Sequence, residues 1–314
     1  MKKIYKTDNG ILTERKEFTQ DVWIDLSSPT MDELIEIAEY FNIDMNDLRA
    51  ALDDEESSRV QLEDGYTLIL EDIPFEEIRN EQRAYTTIPL GILLVKDAII
   101  TVCSNETLIL SNFYNNRVKG FSTKKRMRFV YQILLRTTNL YQAYLRVIDK
   151  KRSEIEKRVS SETTEDQDLI NLHELETNLV YFATSLSANK LVLERLNRYE
   201  RIKQYPEDKE LLDDVMVENR QAIEMTNIYR DIIHGTRDLV STIINNRLNN
   251  VMKFLTSITL VMAIPTIISG IYGMNVSERW MPLSNTPYGF LIICILMVVV
   301  CIMAFFILKK RKML

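Results

Sequence analysis

The stretch NNVMKFLTSITLVMAIPTIISGIYGMN, residues 249–275, decides how the chain is read. Residues 254–277 are 24 uncharged positions in a row, and after Glu278 and Arg279 another 29 uncharged residues run up to Lys309. A bilayer-spanning helix needs only about 20 mostly apolar residues. Two transmembrane helices are therefore predicted, over 254–272 and 288–308, joined by a short external loop at 273–287. The second span, with FLIICILMVVVCIMAFFIL at 290–308, is nearly continuous hydrocarbon and is expected to face lipid. Lys309-Lys310-Arg311-Lys312 closes it, and Arg247 and Lys253 precede the first span. Cations at these two places put the same side of both spans inside, so both termini are expected in the cytoplasm of a cell-membrane protein. Tyr272, Trp280 and Tyr288 stand where aromatic anchors at the membrane interface would.

Moving toward the N-terminus, no proline falls between Pro206 and Pro265, and the acidic start EDKELLDD suits a helix N-terminus. A helix from 207 to 272 would extend on the order of 100 Å at ~1.5 Å per residue, far more than one membrane crossing. Its first part, 207–253, is expected to be a polar or coiled stalk needing partners along its length. Upstream, apolar residues recur every three or four positions through Phe129, Leu134, Leu140, Leu145 and Ile148, and again through Leu169, Leu172, Leu175, Leu179 and Leu186. This predicts an antiparallel pair of long helices within 121–206, turning at 160–166 and ending near Pro206.

The first 120 residues carry strand-like runs at 22–26, 66–72, 88–97 and 98–103, and MDELIEIAEYF as a helix capped by Ser28 or Thr30. The fold class is thus an α/β cytoplasmic domain, then long α-helices, then two C-terminal transmembrane helices.

Composition removes several functions. A net charge of -6, from 39 Lys and Arg against 45 Asp and Glu, gives no basic footprint for nucleic acid. Cys103, Cys294 and Cys301 make no disulfide framework and read as small packing residues, and His173 and His234 belong to no zinc-type cluster. MKKIYKTDNG has no apolar core of a signal segment. The acidic runs Asp53-Asp54-Glu55-Glu56 and Glu76-Glu77 read as solvated faces. With no phosphate cradle, activated nucleophile or HExxH, neither an enzyme nor a bound cofactor is expected.

Two helices cannot enclose a water-filled route, so transport would need several copies around an axis. Asp238, Asn245, Asn249, Met252, Leu255, Thr259, Thr266 and Gly270 form a stripe at spacings of three, four and seven. By periodicity this is either the wall of a pore or an interfacial polar patch followed by ordinary helix packing.

GIYGMN at 270–275, at the external end of the first of two C-terminal spans, resembles the signature of the CorA family of magnesium transporters. The preceding 249–270, the long helical region and the basic tail extend the likeness. The resemblance implies a homopentamer with a cytoplasmic funnel and a selectivity motif of Gly273, Met274 and Asn275. A ring of Asn275 carbonyls would accept hydrogen bonds from the waters of Mg²⁺, an ion that dehydrates reluctantly. It further implies a polar ring at Asn249, closing hydrophobic rings at Met252 and Leu255, and a pore lined by Thr259, Thr266 and Gly270. Asp238 would form an acidic ring that attracts divalent ions. Asp214, with Asp213 adjacent, aligns with a regulatory carboxylate, its partner coming from a neighbouring N-terminal domain through Asp72, Glu76 or Glu77.

Pro265 stands ten residues before Asn275 where eleven is familiar, leaving the face at Val261, Met262 and Ala263 open. Val276 replaces a frequent aromatic. The implied function is passive, potential-driven Mg²⁺ influx gated by cytoplasmic Mg²⁺, with Co²⁺, Ni²⁺ or Zn²⁺ as further ions. A zinc transporter of the same family and a membrane-anchored helical scaffold or sensor are the alternatives.

Overall fold

The computed structural model describes all 314 residues except 9, 80–81, 161–165, 199–205, 276–280, 284–285 and 312–314. The chain divides into two compact units, Met1–Arg237 and Asp238–Leu314.

The first unit is built on a seven-stranded sheet in the order β2-β1-β3-β7-β6-β5-β4. Its strands are β1 (Lys2–Asp8), β2 (Ile11–Arg15), β3 (Val22–Ser27), β4 (Arg59–Leu62), β5 (Tyr66–Arg79), β6 (Gln82–Val95) and β7 (Ala98–Cys103). Among the described strands only β3 and β7 pair in parallel, in register Trp23↔Ile99 and Ile24↔Ile100, and both are buried from end to end. That burial explains why VWIDLS and AIITVC are near-continuous apolar runs: a central strand covered on both faces loses the polar half of its alternation. Trp23 and Ile99 point into a core under α3 (Leu108–Tyr114) and α4 (Arg126–Ser160). Ile24 and Ile100 point the other way, onto α1 (Met31–Phe41) and α2 (Met45–Ala50).

Local chemistry fixes the joints of this sandwich. Thr30 caps α1 through the Glu33 backbone N–H, and the Glu33 carboxylate returns to the Thr30 N–H, a reciprocal capping box. Gly91 lies in β6 where α2 ends, and a Cβ there would stand 2.5 Å from that of Ala51, so glycine lets helix and sheet close together.

The helical pair packs on the sheet. Helix α5 (Asp166–Arg198) meets β4, β5 and β6, and α4 meets β5 and β6. Helix α6 (Pro206–Tyr272) begins against the same layer: Leu212 and Val215 enter the core, and Asn219 donates to the Leu186 carbonyl of α5. The turn expected at 160–166 and the helix end expected near Pro206 fall largely outside the described residues, with α5 described to Arg198.

Strands differ from the sequence reading in extent. β5 and β6 run to 14 residues each and pair from Tyr66↔Val95 to Arg79↔Gln82, so Glu76 and Glu77 sit on a strand. The polar strands β1, β2 and β4 add to the expected set.

The second unit holds the rest of α6 and α7 (Gly289–Lys310), both long and apolar enough to cross a membrane. α6 continues unbroken through Pro265 to Tyr272.

Candidate pore and ion-regulation residues

Within the second unit, two rows of side chains meet. On α7, Ile293, Cys294, Met297, Val300, Cys301, Ala304 and Leu308 are half-buried at spacings of one, three and four, while the remaining apolar positions of this helix stand open. On α6, Ser257 is buried and Val261, Ile264, Ile268 and Tyr272 are half-buried at three and four. The Cys301 thiol donates to the Val261 carbonyl at 3.9 Å, which ties one row to the other.

The remaining face of α6 carries the stripe read from the sequence. Leu255 lies two residues from Ser257, Thr259 two from Val261, Thr266 two from Ile268, and Gly270 two from Tyr272. Two residues are about 200° around a helix, so the stripe looks away from α7. Asp238, Asn249, Met252, Leu255, Thr259, Thr266 and Gly270 are all exposed, Met252 by 58% and Leu255 by 64%. Val261 turns toward α7, and Ala263, two residues on, is also half-buried. The Thr259 and Thr266 hydroxyls donate to the Leu255 and Met262 carbonyls, at 2.8 and 3.1 Å, so their protons are used within the helix and lone pairs face outward.

α6 ends in the Gly-Met-Asn turn. The Gly273 N–H returns to the Ser269 carbonyl at 2.9 Å and that of Met274 to Ile271 at 3.3 Å. A Cβ on Gly273 would press on the Ser269 carbonyl at 3.2 Å, a tight fit for any larger residue. The Tyr272 hydroxyl donates to the Pro282 carbonyl, fastening the loop to the helix end. Met274 and Asn275 are exposed beyond it. Glu278, Arg279 and the anchor residue Trp280 lie outside the described residues.

The candidate regulatory carboxylates are separate. Asp213 and Asp214 are exposed on α6. Asp72 is half-buried on β5, its backbone N–H given to the Ser58 hydroxyl and the Asn189 side-chain carbonyl, and its carbonyl taking the Asn189 amide and the Tyr141 hydroxyl. Burial raises the Asp72 carboxyl above its ordinary value, and the Ser185 and Ser58 hydroxyls work the other way. Glu76 pairs with Arg83 at 3.3 Å, and Glu77 pairs with Arg79. Among the described residues of this one chain, no group of three or more His, Cys, Asp or Glu side chains could hold a metal ion. Asp214 and its three candidate partners therefore do not form a ligand cluster within a protomer.

Sequence reasoning missed a polar junction between α5 and α6. Glu176 takes His234 Nε2 at 3.2 Å and Arg237 at 3.0 Å, and Arg237 also reaches His234 Nδ1 at 3.3 Å. Two lone histidines gave no sign of it, because the third member lies some 60 residues away on another helix. The donor in the Cys301–Val261 contact was also missed, behind a packing role for the cysteines.

Comparison with known proteins agrees with this architecture. The model of the CorA-like Mg²⁺ transporter protein family matches residues 19–310. The cobalt/magnesium transport protein CorA of Methanocaldococcus jannaschii is 31% identical over 299 residues, spanning 92% of this chain and 90% of the relative. The namesake from Thermotoga maritima is 24% identical over 313 residues, 98% of this chain and 87% of that protein. Among solved structures, the complete CorA magnesium transporter of M. jannaschii superposes with a TM-score of 0.82 at 27% identity, covering 98% of this chain and 96% of that one. The full-length CmaX protein shares the fold, with a TM-score of 0.73 at 14% identity over 98% of this chain and 96% of that one. With two apolar helices following an α/β domain, and a family match over most of its length, this chain is a membrane protein that belongs to the CorA-like Mg²⁺ transporter family.

Proposed function

We propose that the chain is a magnesium channel that assembles as a homopentamer, with α6 of each copy lining the route and α7 facing lipid. The observation that carries this reading is the α6 stripe: it stands exposed, opposite the face tied to α7, and leads to the Gly-Met-Asn turn. Five copies placing these stripes around an axis give a wall of Asn249, Met252, Leu255, Thr259, Thr266 and Gly270. Met252 and Leu255 close it by excluding water. Gly273, Met274 and Asn275 form the outer mouth, where Asn275 carbonyls hold a hydrated ion through its waters. Asp238 draws divalent ions at the inner end.

Both termini are cytoplasmic, consistent with Lys309, Lys310 and Arg311 at the end of α7. Influx is passive: an inside-negative potential supplies ~2.3 kcal/mol per charge per 100 mV, roughly 4.6 for a divalent ion. Cytoplasmic Mg²⁺ bound between subunits at Asp214 and Asp213, against Asp72, Glu76 or Glu77 of a neighbour, holds the closed state. Among the described residues one protomer brings no such group of ligands together, which fits a site completed by a second copy. Co²⁺ and Ni²⁺ share the charge and hydrated form that the mouth recognises.

The test is uptake into proteoliposomes containing a Mg²⁺-sensitive dye, under an imposed inside-negative potential. Wild-type chain is expected to admit Mg²⁺, and Asn275→Ala to lose influx by at least about tenfold while remaining oligomeric. Zn²⁺ influx without Mg²⁺ influx would overturn the choice of ion, and an assembled protein passing no divalent ion at low or high internal Mg²⁺ would leave a scaffold.

A further inference from the structure

Pro265 has no backbone N–H, so the Val261 carbonyl, four residues earlier in α6, loses the donor that a regular helix would give it. In hydrocarbon no water can replace that donor. Nearby hydroxyls are committed elsewhere: Thr256, Thr259, Thr266 and Ser269 give their protons to the carbonyls of Met252, Leu255, Met262 and Thr266. The Cys301 thiol, on the row of α7 that faces α6, reaches the Val261 carbonyl at 3.9 Å.

We propose that Cys301 is a positioning residue for the pore, its thiol supplying the hydrogen bond that Pro265 withdraws from Val261 and so holding the proline turn of α6 in register. This inference rests on the channel reading for its functional consequence and on the Pro265–Val261–Cys301 geometry for its physical content. A thiol is a weak donor, and weakness suits this place, since the bond has to yield when α6 moves. The residues it orients are those around the turn. Ala263 lies about 200° around the helix from Val261 and one turn on from Thr259, and Thr266 follows Pro265 directly. Rotation of the turn would carry both off the axis. Cys294 occupies the same row of α7 two turns earlier, and the proline spacing singles out Cys301.

Two measurements on the full-length chain in liposomes test this. The first is the S–H stretching band of Cys301, taken as the infrared difference between wild type and Cys301→Ala. Pro265→Ala restores an N–H for Val261, and the band is expected to move to the higher frequency of a non-bonded thiol; an unmoved band would overturn the assignment. The second is Mg²⁺ influx. Cys301→Ala is expected to lower it about threefold in the Pro265 chain, the size typical of one interhelical polar contact, and to leave it unchanged in the Pro265→Ala chain. An equal loss in both backgrounds, or no loss in either, would reduce Cys301 to packing. If Pro265→Ala does not assemble, Cys301→Ser and Cys301→Val decide: the hydroxyl keeps influx and the donor-free side chain loses about threefold, whereas equal influx from the two sinks the proposal. A band that moves in a protein without Mg²⁺ influx would keep the contact and refute the channel.

Discussion

In the unit Met1–Arg237, Trp23, Ile24, Ile99 and Ile100 are shut between helices on both faces of a sheet. In the unit Asp238–Leu314, Phe290, Leu291, Ile295, Val298, Val299 and Phe306 stand open around α7. The residue types are similar and their treatment is opposite. The first unit satisfies the hydrophobic effect within one chain, where burial is worth roughly 25 cal/mol per Å². The second unit cannot, because two helices offer each other one narrow row apiece; its outer surface is stable only where the solvent is itself hydrocarbon. One protomer is thus a finished fold on one side and an unfinished one on the other.

That contrast can be broken by deleting the same kind of side chain in each unit. Trp23 is fully buried, packs near Phe113, Phe121 and Phe129, and gives its indole N–H to Thr101 at 2.9 Å. Trp23→Ala is expected to cost about 3–5 kcal/mol of stability, measured as loss of sheet circular dichroism on denaturant unfolding of the full chain. Phe290→Ala, at a ring 83% exposed, is expected to change the same transition by less than about 0.5 kcal/mol. Comparable losses at the two positions would mean that α7 packs on protein around its whole circumference.

A smaller effect sharpens the comparison from the polar side. Asp25 is buried in β3, accepting from the Ser27 and Thr101 hydroxyls at 3.1 Å, and burial raises its pKa from 3.8 to about 6. The folded chain then keeps a proton that the unfolded chain has already released. Stability from this group is therefore full below the unfolded value, falls as pH rises from 3.8 to about 6, and stays flat above. The decline is on the order of 3 kcal/mol. Asp25→Asn is expected to remove that portion of the slope in unfolding midpoints taken from about pH 4 to about pH 7; an unchanged slope would show Asp25 ionised in the fold. Glu71, fully buried and bonded by Thr137 at 3.3 Å, is pushed well up by its burial and acts in the same direction, so the difference between the two chains is the quantity to read.

The parts of the fold legible in the sequence are those whose residues speak locally. Thr30 and Glu33 announce the start of α1 three residues apart, and the all-apolar β3 and β7 announce the centre of the sheet. β1, β2 and β4 escaped because KKIYKTD, ILTER and RVQL belong to the outer part of the sheet, where charged residues alternate with few apolar ones. The outer half of the β5–β6 hairpin escaped because Glu76 and Glu77 read as a solvated face, although backbone pairing carries both strands through.

The candidate pore was legible for a related reason: its stripe is a spacing along one helix. The Cys301 contact was half legible. Counting four residues back from Pro265 finds the carbonyl in need, and only packing of α7 against α6 finds the donor. The candidate regulatory carboxylates were least legible: Asp214 and Asp72, Glu76 and Glu77 lie far apart in sequence and form no ligand cluster among the described residues.

The proposed channel puts the α6 stripe against water and the outer face of α7 against lipid. It is tested most directly by single substitutions Thr259→Cys, Thr266→Cys and Val298→Cys in the assembled protein, treated with a charged, membrane-impermeant thiol reagent and normalised to the unsubstituted chain. Thr259→Cys and Thr266→Cys are expected to react and lose Mg²⁺ influx, external Mg²⁺ to slow the reaction, and Val298→Cys to stay unmodified. Reaction at Val298→Cys with both α6 positions protected would contradict it.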